Sequence, residues 1–181
     1  ADERVRTLES TRHGLLIRQA RLEAQRDGQT TYTPPSIPPE QQDKQAPEII
    51  ANEREALRAQ TTALNEELVL HRSQKPRLEQ AYTSIEQQIA TEVKQSQLVQ
   101  TQLADLEQIS SKGLSMRSRE IALQRERAGM ESNISRYRSE LARLAVTIGE
   151  VDIKINEANT LYRRRVLGEL AQHRFGQHAP V

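Results

Sequence analysis

The chain has 181 residues, of which 35% are hydrophobic, 3% aromatic and 28% charged. This composition lacks the apolar bulk of a spherical domain and is typical of long helices that bury a narrow seam. The 26 basic and 25 acidic residues are interleaved, which argues against a nucleic-acid-binding surface, and the lack of cysteine excludes disulfides and zinc–thiolate sites.

The first predicted element is an amphipathic helix over residues 1–27. Leu8, Leu15 and Leu22 recur at seven-residue spacing among Arg, Glu and Gln, which places them on one face of a helix. An Asp-Gly pair then ends the pattern. The sequence begins ADERVRTLES, without an initiator methionine or a signal peptide, so we expect a segment of a longer protein.

A proline-rich segment, residues 28–47, follows this helix. It contains five of the seven prolines of the chain, and proline lacks the backbone donor that a helix needs. The segment is therefore extended or turning. Two interpretations are open: a passive linker, or a stiff strap that directs the first helix back against the elements that follow.

A long helical hairpin is predicted over residues 48–172, followed by a tail at 173–181. Apolar residues repeat every seven positions in two interleaved series on each side of a turn at 110–117, as in a coiled-coil seam. The first arm carries Ile50, Leu57, Leu64, Leu68, Leu78, Tyr82, Ile85, Ile89, Val99, Leu103 and Leu106. The second arm carries Leu123, Met130, Ile134, Tyr137, Leu141, Leu144, Ile148, Val151, Ile155, Ala158 and Tyr162.

Two such arms joined by a short turn have to fold back antiparallel. The predicted fold class is therefore all-α: a long antiparallel coiled-coil hairpin with an additional N-terminal helix packed along it. At about 1.5 Å per residue, the first arm would be on the order of 95 Å long.

Polar residues interrupt the seam at a few positions. His71, Lys75 and Pro76 fall together and predict a kink or break in the first arm. His71 lacks a second ligand at metal-binding spacing, so we interpret it, like Glu92, as a tolerated polar seam residue. The run Arg163-Arg164-Arg165 could bind phosphate, but adjacent helical residues point in different directions, which favours a solvated surface.

No enzyme motif occurs in the sequence. It has no Gly-rich phosphate loop, no nucleophile elbow and no H-E-x-x-H. A two-helix seam also offers no cavity from which water could be excluded around a reaction. We therefore expect no catalysis, no cofactor and no bound metal. No run of 18 apolar residues occurs that would span a membrane.

The turn at 110–117 has a predicted local structure. We expect Lys112 in the last turn of the first arm and Gly113 just beyond it, in the left-handed conformation. Ser115 would then cap the start of the second arm. Leu114 is expected to contact Ile109, and the pair Leu114 and Met116 remains as an apolar tip that a turn alone does not explain.

The stretch SSKGLSMRSREIALQRE, residues 110–126, resembles the hairpin tip of hemolysin-D-like membrane fusion proteins, the periplasmic adaptors of type I secretion systems. Their tips commonly read K-G-L-V-x-K/R and then L-Q-R-E, which match here at Lys112, Gly113, Leu114, Leu123, Gln124, Arg125 and Glu126. The strap is similar too, at Asp27, Gly28, Tyr32 and Pro34. An Arg-Leu-Ser set of the family, spaced R-x3-L-x6-S, aligns with Asp105, Ile109 and Met116, so the charge is reversed and the hydroxyl lies at Ser115.

The resemblance implies a non-catalytic, periplasmic adaptor segment, whose parent protein is anchored in the inner membrane of a Gram-negative bacterium. It would bridge an inner-membrane ABC transporter, contacted through other parts of the parent, and a TolC-like outer-membrane channel. Copies would associate into a tube, without nucleic acid or small-molecule substrate. The implied partner-binding residues are Ile109, Ser110, Ser111, Lys112, Gly113, Leu114, Ser115, Met116 and Arg117.

Two other interpretations remain. A cytoplasmic coiled-coil scaffold or dimerisation arm would also form a hairpin, but it would not need a strap that folds the first helix back. A membrane-surface amphipathic bundle is a weaker alternative, because the seam is narrow and the aromatic residues that would anchor it are scarce.

Overall fold

The computed structural model describes residues 2–38, 44–109 and 113–177, and within these ranges it contains three α-helices and no strand. Helix α1 spans Asp2–Arg26, α2 spans Ala46–Glu107 and α3 spans Leu114–Gln177. Helix α2 thus begins inside the segment predicted as a strap, and α3 continues into the predicted tail. The chain consists of two compact units: the first is Ala1–His71 with Lys154–Val181, and the second is Arg72–Ile153.

In the first unit, α1 packs between the two arms through two apolar clusters. Leu22 contacts α3, where it packs against Val166, Leu170 and Tyr162. The other cluster joins α1, the strap and α2, and consists of Ile17, Ala24, Tyr32 and Leu57 with Ala20, Ile37, Ile49 and Ile50 around them. Ile17 and Leu22 are fully buried. Since full burial of such a side chain contributes roughly 1.5–3 kcal/mol, these contacts hold α1 against the hairpin.

The buried face of α1 differs from the predicted one. Leu8 is 67% exposed and Leu15 is half-buried, so only Leu22 of the predicted series lies in the core. The buried residues are His13, Ile17, Arg21, Leu22, Ala24 and Gln25. The reason is that α1 contacts two helices at once, and a helix between two neighbours buries a wider face than a two-stranded seam does.

A buried polar layer crosses this three-helix core. The side chain of Arg21 is only 4% exposed; it pairs with Glu53 of α2 and lies 3.6 Å from Glu169 Oε2 of α3. Arg21 also donates from Nη1 to Gln25 Oε1, at 2.6 Å. Because one guanidinium contacts both arms, sliding α1 along the core would strand a buried charge, and this sets the axial position of α1.

The contacts of Gln25 give the direction of α1. Its Nε2 donates to Gln60 Oε1 (2.7 Å) and to Tyr162 Oη (3.1 Å). Taken with the partners of Arg21, these contacts show that α1 runs parallel to α2 and antiparallel to α3. The segment between α1 and α2 must therefore return alongside α1, and an extended chain covers that distance in fewer residues than a helix.

The strap is part of the core up to Ile37. Gly28, at φ 73°, ends α1 where predicted, and Gln29 N donates to the Ala24 carbonyl at 2.8 Å, as in a Schellman ending. Tyr32 is buried and its hydroxyl donates to the Ile50 carbonyl at 2.9 Å. The interpretation as a passive linker is therefore wrong for this part of the segment, which packs against α1 and α2.

In the second unit, α2 and α3 pack against each other along the predicted seam. The buried apolar residues here are Ile85, Val99, Leu103, Leu123, Ile134 and Val151, and every other predicted seam residue of this unit is half-buried. Lys75 Nζ donates to Asp152 Oδ1 across the arms at 2.8 Å, and this bond raises the pKa of the Lys75 ammonium. The predicted antiparallel hairpin with an added N-terminal helix is confirmed.

Of the predicted kink or break near Pro76, the break is wrong, because α2 continues through it, whereas the kink stays a prediction. Proline removes the bond to the carbonyl four residues earlier, and its ring crowds that carbonyl. That residue, Arg72, is exposed, so water can satisfy its carbonyl. The neighbouring Lys75–Asp152 pair holds the arms together at the same level.

We expect the Arg21→Ala variant to lose about 2–3 kcal/mol of unfolding free energy, because two partly buried carboxylates lose their common partner. Urea unfolding measures the loss, and hydrogen exchange should quicken in α1. The matched control is Arg26→Ala, whose partner Asp27 is solvent-exposed and whose loss should be near zero. Equal effects of the two changes would contradict the role given to Arg21.

Burial raises the pKa of the Tyr32 hydroxyl. The folded state therefore resists ionisation that the unfolded chain undergoes freely, so stability is complete below about pH 10 and falls as the pH rises further. We expect Tyr32→Phe to cost about 1 kcal/mol at pH 7 and to flatten this alkaline decline. Unfolding curves at a series of pH values measure both effects; an unchanged alkaline slope would contradict them.

Candidate functional site

The candidate site is the turn between α2 and α3. Of the predicted tip residues, the structure describes Ile109 and 113–117, whereas Ser110, Ser111 and Lys112 lie outside the described residues. The turn is supported by an apolar cluster of both arms that consists of Val99, Leu103, Leu123, Leu106 and Met130. This cluster fixes the spacing of the two helix ends that enter the turn.

Helix α2 ends at Glu107, earlier than predicted. Gln108 N still donates to the Ala104 carbonyl (3.2 Å), but Ile109 N donates to Leu106, only three residues back, at 3.2 Å. The expectation that the helix reaches Lys112 is therefore wrong. Leu106 is the last apolar residue of the seam, and a helix without further packing loses most of its stabilisation.

Gly113 caps the start of α3. Its carbonyl accepts hydrogen bonds from Met116 N and Arg117 N, both at 3.2 Å, and the helix begins at Leu114. Gly28 is the only glycine with positive φ among the described residues, so the predicted left-handed Gly113 is wrong. The predicted cap at Ser115 is wrong as well, because Ser115 already lies in the first helical turn. Glycine at the N-cap position stabilises a helix almost as well as serine does, with a difference of only a few tenths of a kcal/mol.

The two apolar tip residues differ in exposure. Leu114 is 86% exposed, which leaves little of its surface for the predicted contact with Ile109. Met116, expected to be exposed, is half-buried, because it takes the seam position seven residues before Leu123. The apolar surface that the turn presents is therefore mainly Leu114, with Ile109 38% exposed.

Sequence reasoning missed Arg127, which occupies a seam position seven residues before Ile134. Its Nε lies 3.0 Å from Glu131 Oε1, and its side chain lines an open cavity of about 400 Å³ between the arms. The lining also includes Gln100, Leu103, Ala104, Glu107, Gln124 and Ala128. Residues 127, 134 and 141 are seven positions apart, and Ile134 and Leu141 belong to the predicted seam. Extending this series back by one heptad would have identified Arg127 as a polar seam residue.

The described residues contain no grouping of acidic and histidine side chains suited to a metal. None of their helices is long and apolar enough to cross a bilayer. What the turn offers is a surface: one exposed leucine, a glycine cap, and the exposed side chains of Ser115 and Arg117 beside it. Such a surface suits contact with another protein.

A family model described as AprE, long alpha-helical hairpin, matches residues 1–176. The chain belongs to this family. Its fold is also similar to the crystal structure of the soluble domain of LipC, a membrane fusion protein of a type I secretion system, with a TM-score of 0.89 at 23% identity. That match covers 97% of this chain and 66% of the LipC chain. No curated protein matches the chain. The predicted resemblance to type I secretion membrane fusion proteins is confirmed.

The capping geometry makes Ser115 dispensable for stability. We expect Ser115→Ala to change the unfolding free energy by less than about 0.5 kcal/mol, whereas loss of a capping serine would cost about 1 kcal/mol. Thermal or urea unfolding distinguishes the two. Met116→Ala serves as the comparison, because its half-buried side chain contributes to the seam and should cost more. A larger loss from Ser115→Ala would show that its hydroxyl caps α3 after all.

Proposed function

We propose that this chain is the periplasmic hairpin of a type I secretion adaptor and that its turn docks onto a TolC-like outer-membrane channel. The observation that carries the proposal is Leu114, 86% exposed at the turn of a hairpin of this family. The fold of α3 does not bury it. Burial of a leucine against a partner contributes roughly 1.5–3 kcal/mol, which suits the centre of a small docking surface.

The remaining tip residues would surround this leucine as a polar rim. Exposed Ser115 and Arg117 lie beside it, and we assign the same role to Ser110, Ser111 and Lys112. Gly113 adds no side chain that would keep the partner from the backbone. Ile109 and Met116 would support the rim from below. An apolar centre with a polar rim is the usual anatomy of a protein interface.

The proposed mechanism is mechanical. The parent protein would be anchored in the inner membrane and contact an ABC transporter through parts other than this chain, and the transporter would supply the energy. Several hairpins would pack side by side into a tube that conducts the cargo to the channel. No step of this mechanism needs catalysis, a cofactor, nucleic acid or a small-molecule substrate.

The alternative of a cytoplasmic scaffold is less well supported. It accounts for a hairpin, but it gives no reason for a strap that returns alongside α1 and buries Tyr32 in the core. The match to the AprE hairpin family also favours the secretion adaptor.

We expect Leu114→Asp, introduced into the parent protein, to reduce cargo export roughly tenfold or more, because a charge would replace the apolar centre of the contact. Secreted cargo is measured against cell-associated cargo. Circular dichroism of the isolated chain should show unchanged helix content, since Leu114 makes little contact within the fold.

The matched control is Leu8→Asp on α1, because Leu8 is 67% exposed and lies outside the turn. It should leave export close to normal. Normal export by the Leu114→Asp protein, or an equal loss in both variants, would refute the docking role of the turn.

A further inference from the structure

Gly129 lies in the interior of α3, where the fold gives no reason for a glycine. Glycine costs a helix interior about 1 kcal/mol relative to alanine. A Cβ added at Gly129 would meet nothing within 4 Å, so packing within the chain would accept alanine. The surface of α3 therefore has a shallow notch at Gly129 that the chain itself does not fill.

A large exposed apolar side chain lies at the same level on the other arm. The Lys75–Asp152 pair fixes the antiparallel register of the arms, and this register places Leu98 of α2 level with Gly129 of α3. Leu98 is 66% exposed. By helical geometry, Leu98 and Gly129 both lie on the outer side of their arm and toward the same flank of the hairpin.

A second matched pair occurs closer to the turn. Ile121, 50% exposed on the outer side of α3, lies within one turn of the level of Ala104 on α2. Ala104 is small and exposed, and it also lines the open cavity described above. In each of these two pairs, an exposed large apolar residue of one arm lies near the level of an exposed small residue of the other arm.

The two arms also carry opposite net charge over the stretch where these pairs occur. Residues 86–109 contain four acidic residues and one lysine, a net charge of −3. The residues level with them in this register, 118–141 of α3, contain five arginines and four glutamates, a net charge of +1. Four of those arginines are exposed, and so are Asp105 and Glu107 of α2.

We propose that neighbouring copies of this chain, pointing in the same direction, pack α2 of one copy against α3 of the next. Leu98 then occupies the notch at Gly129 of its neighbour, and Ile121 packs near Ala104. The acidic arm faces the basic arm, whereas α2 against α2 or α3 against α3 would bring like charges together. The proposal rests on the side-by-side assembly proposed above and specifies its contact surface.

This contact is heterologous, because it joins two different surfaces of the same chain. Each added copy leaves one α2 and one α3 uncovered, so the assembly grows until it closes into a ring. A two-fold symmetric dimer would instead use one surface twice. The two modes therefore give different cross-linked products.

The test uses L98C/G129C in the chain, whose sequence has no other cysteine. The protein is bound through an N-terminal His tag to vesicles of phosphatidylcholine with nickel-chelating lipid, which crowds copies in one direction, and is then oxidised. A disulfide needs Cα atoms within about 7 Å. Because Leu98 and Gly129 lie on the outer sides of their arms, we expect this distance between copies and not across one hairpin. We expect a ladder of multimers.

The matched control is L98C/S139C, in which the two cysteines differ in level by about 15 Å, so the ladder should be roughly tenfold weaker. The single variants L98C and G129C should give few dimers. Asp105→Arg should weaken the L98C/G129C ladder, and the added change Arg125→Asp should restore it.

A ladder no stronger than the control, or abundant dimers from either single variant, would overturn the proposed contact. If the contact fails in this way while Leu114→Asp still blocks export, the adaptor function stands without it. If export survives Leu114→Asp but the ladder forms, the assembly is real and the docking function is wrong.

Discussion

The burial of Arg21 between carboxylates of two helices is the constraint on which the first unit depends. A buried ion pair contributes little net stability, because desolvation offsets most of the attraction between the charges. Separating the two partners is strongly destabilising, because it leaves a buried charge without a counter-charge. The contacts of Arg21 with Glu53 and Glu169 therefore select one register of α1 against both arms.

The form of the strap follows from this register. Once α1 runs parallel to α2, the chain has to return alongside α1 before α2 begins. Proline suits the return because it is strongly disfavoured inside a helix, and Tyr32 binds the returning chain to the Ile50 carbonyl. Pro34, Pro35 and Pro38 therefore fit the topology of the first unit.

Heptad spacing was sufficient to predict the hairpin and its seam, down to residues such as Leu57, Ile85 and Val151, because burial of an apolar stripe decides helix packing. It did not predict the face of α1. There Arg21 and Gln25 are buried because two helices supply their partners, and those partners are more than 25 residues away in sequence. Local sequence cannot show such pairings.

The turn was predicted in kind but not in detail. Gly113 was expected to end α2 and instead caps α3, because its carbonyl accepts hydrogen bonds from Met116 N and Arg117 N. The heptad spacing of the seam gives no information about these backbone hydrogen bonds. The break predicted near Pro76 does not occur. One lost backbone bond costs little compared with the packing of a helix that continues on both sides of it.

The bond between Gln25 and Tyr162 has a consequence for the order of folding. It joins residues 137 positions apart, whereas the arms near the turn contact each other over short sequence separations. Contacts of low sequence separation form quickly, and loop closure slows the distant ones. Helix α1 is synthesised first, yet the residues that bury Leu22 and pair with Arg21 in α3 come last. The first helix of the chain must therefore wait for the end of the chain before its own structure is complete.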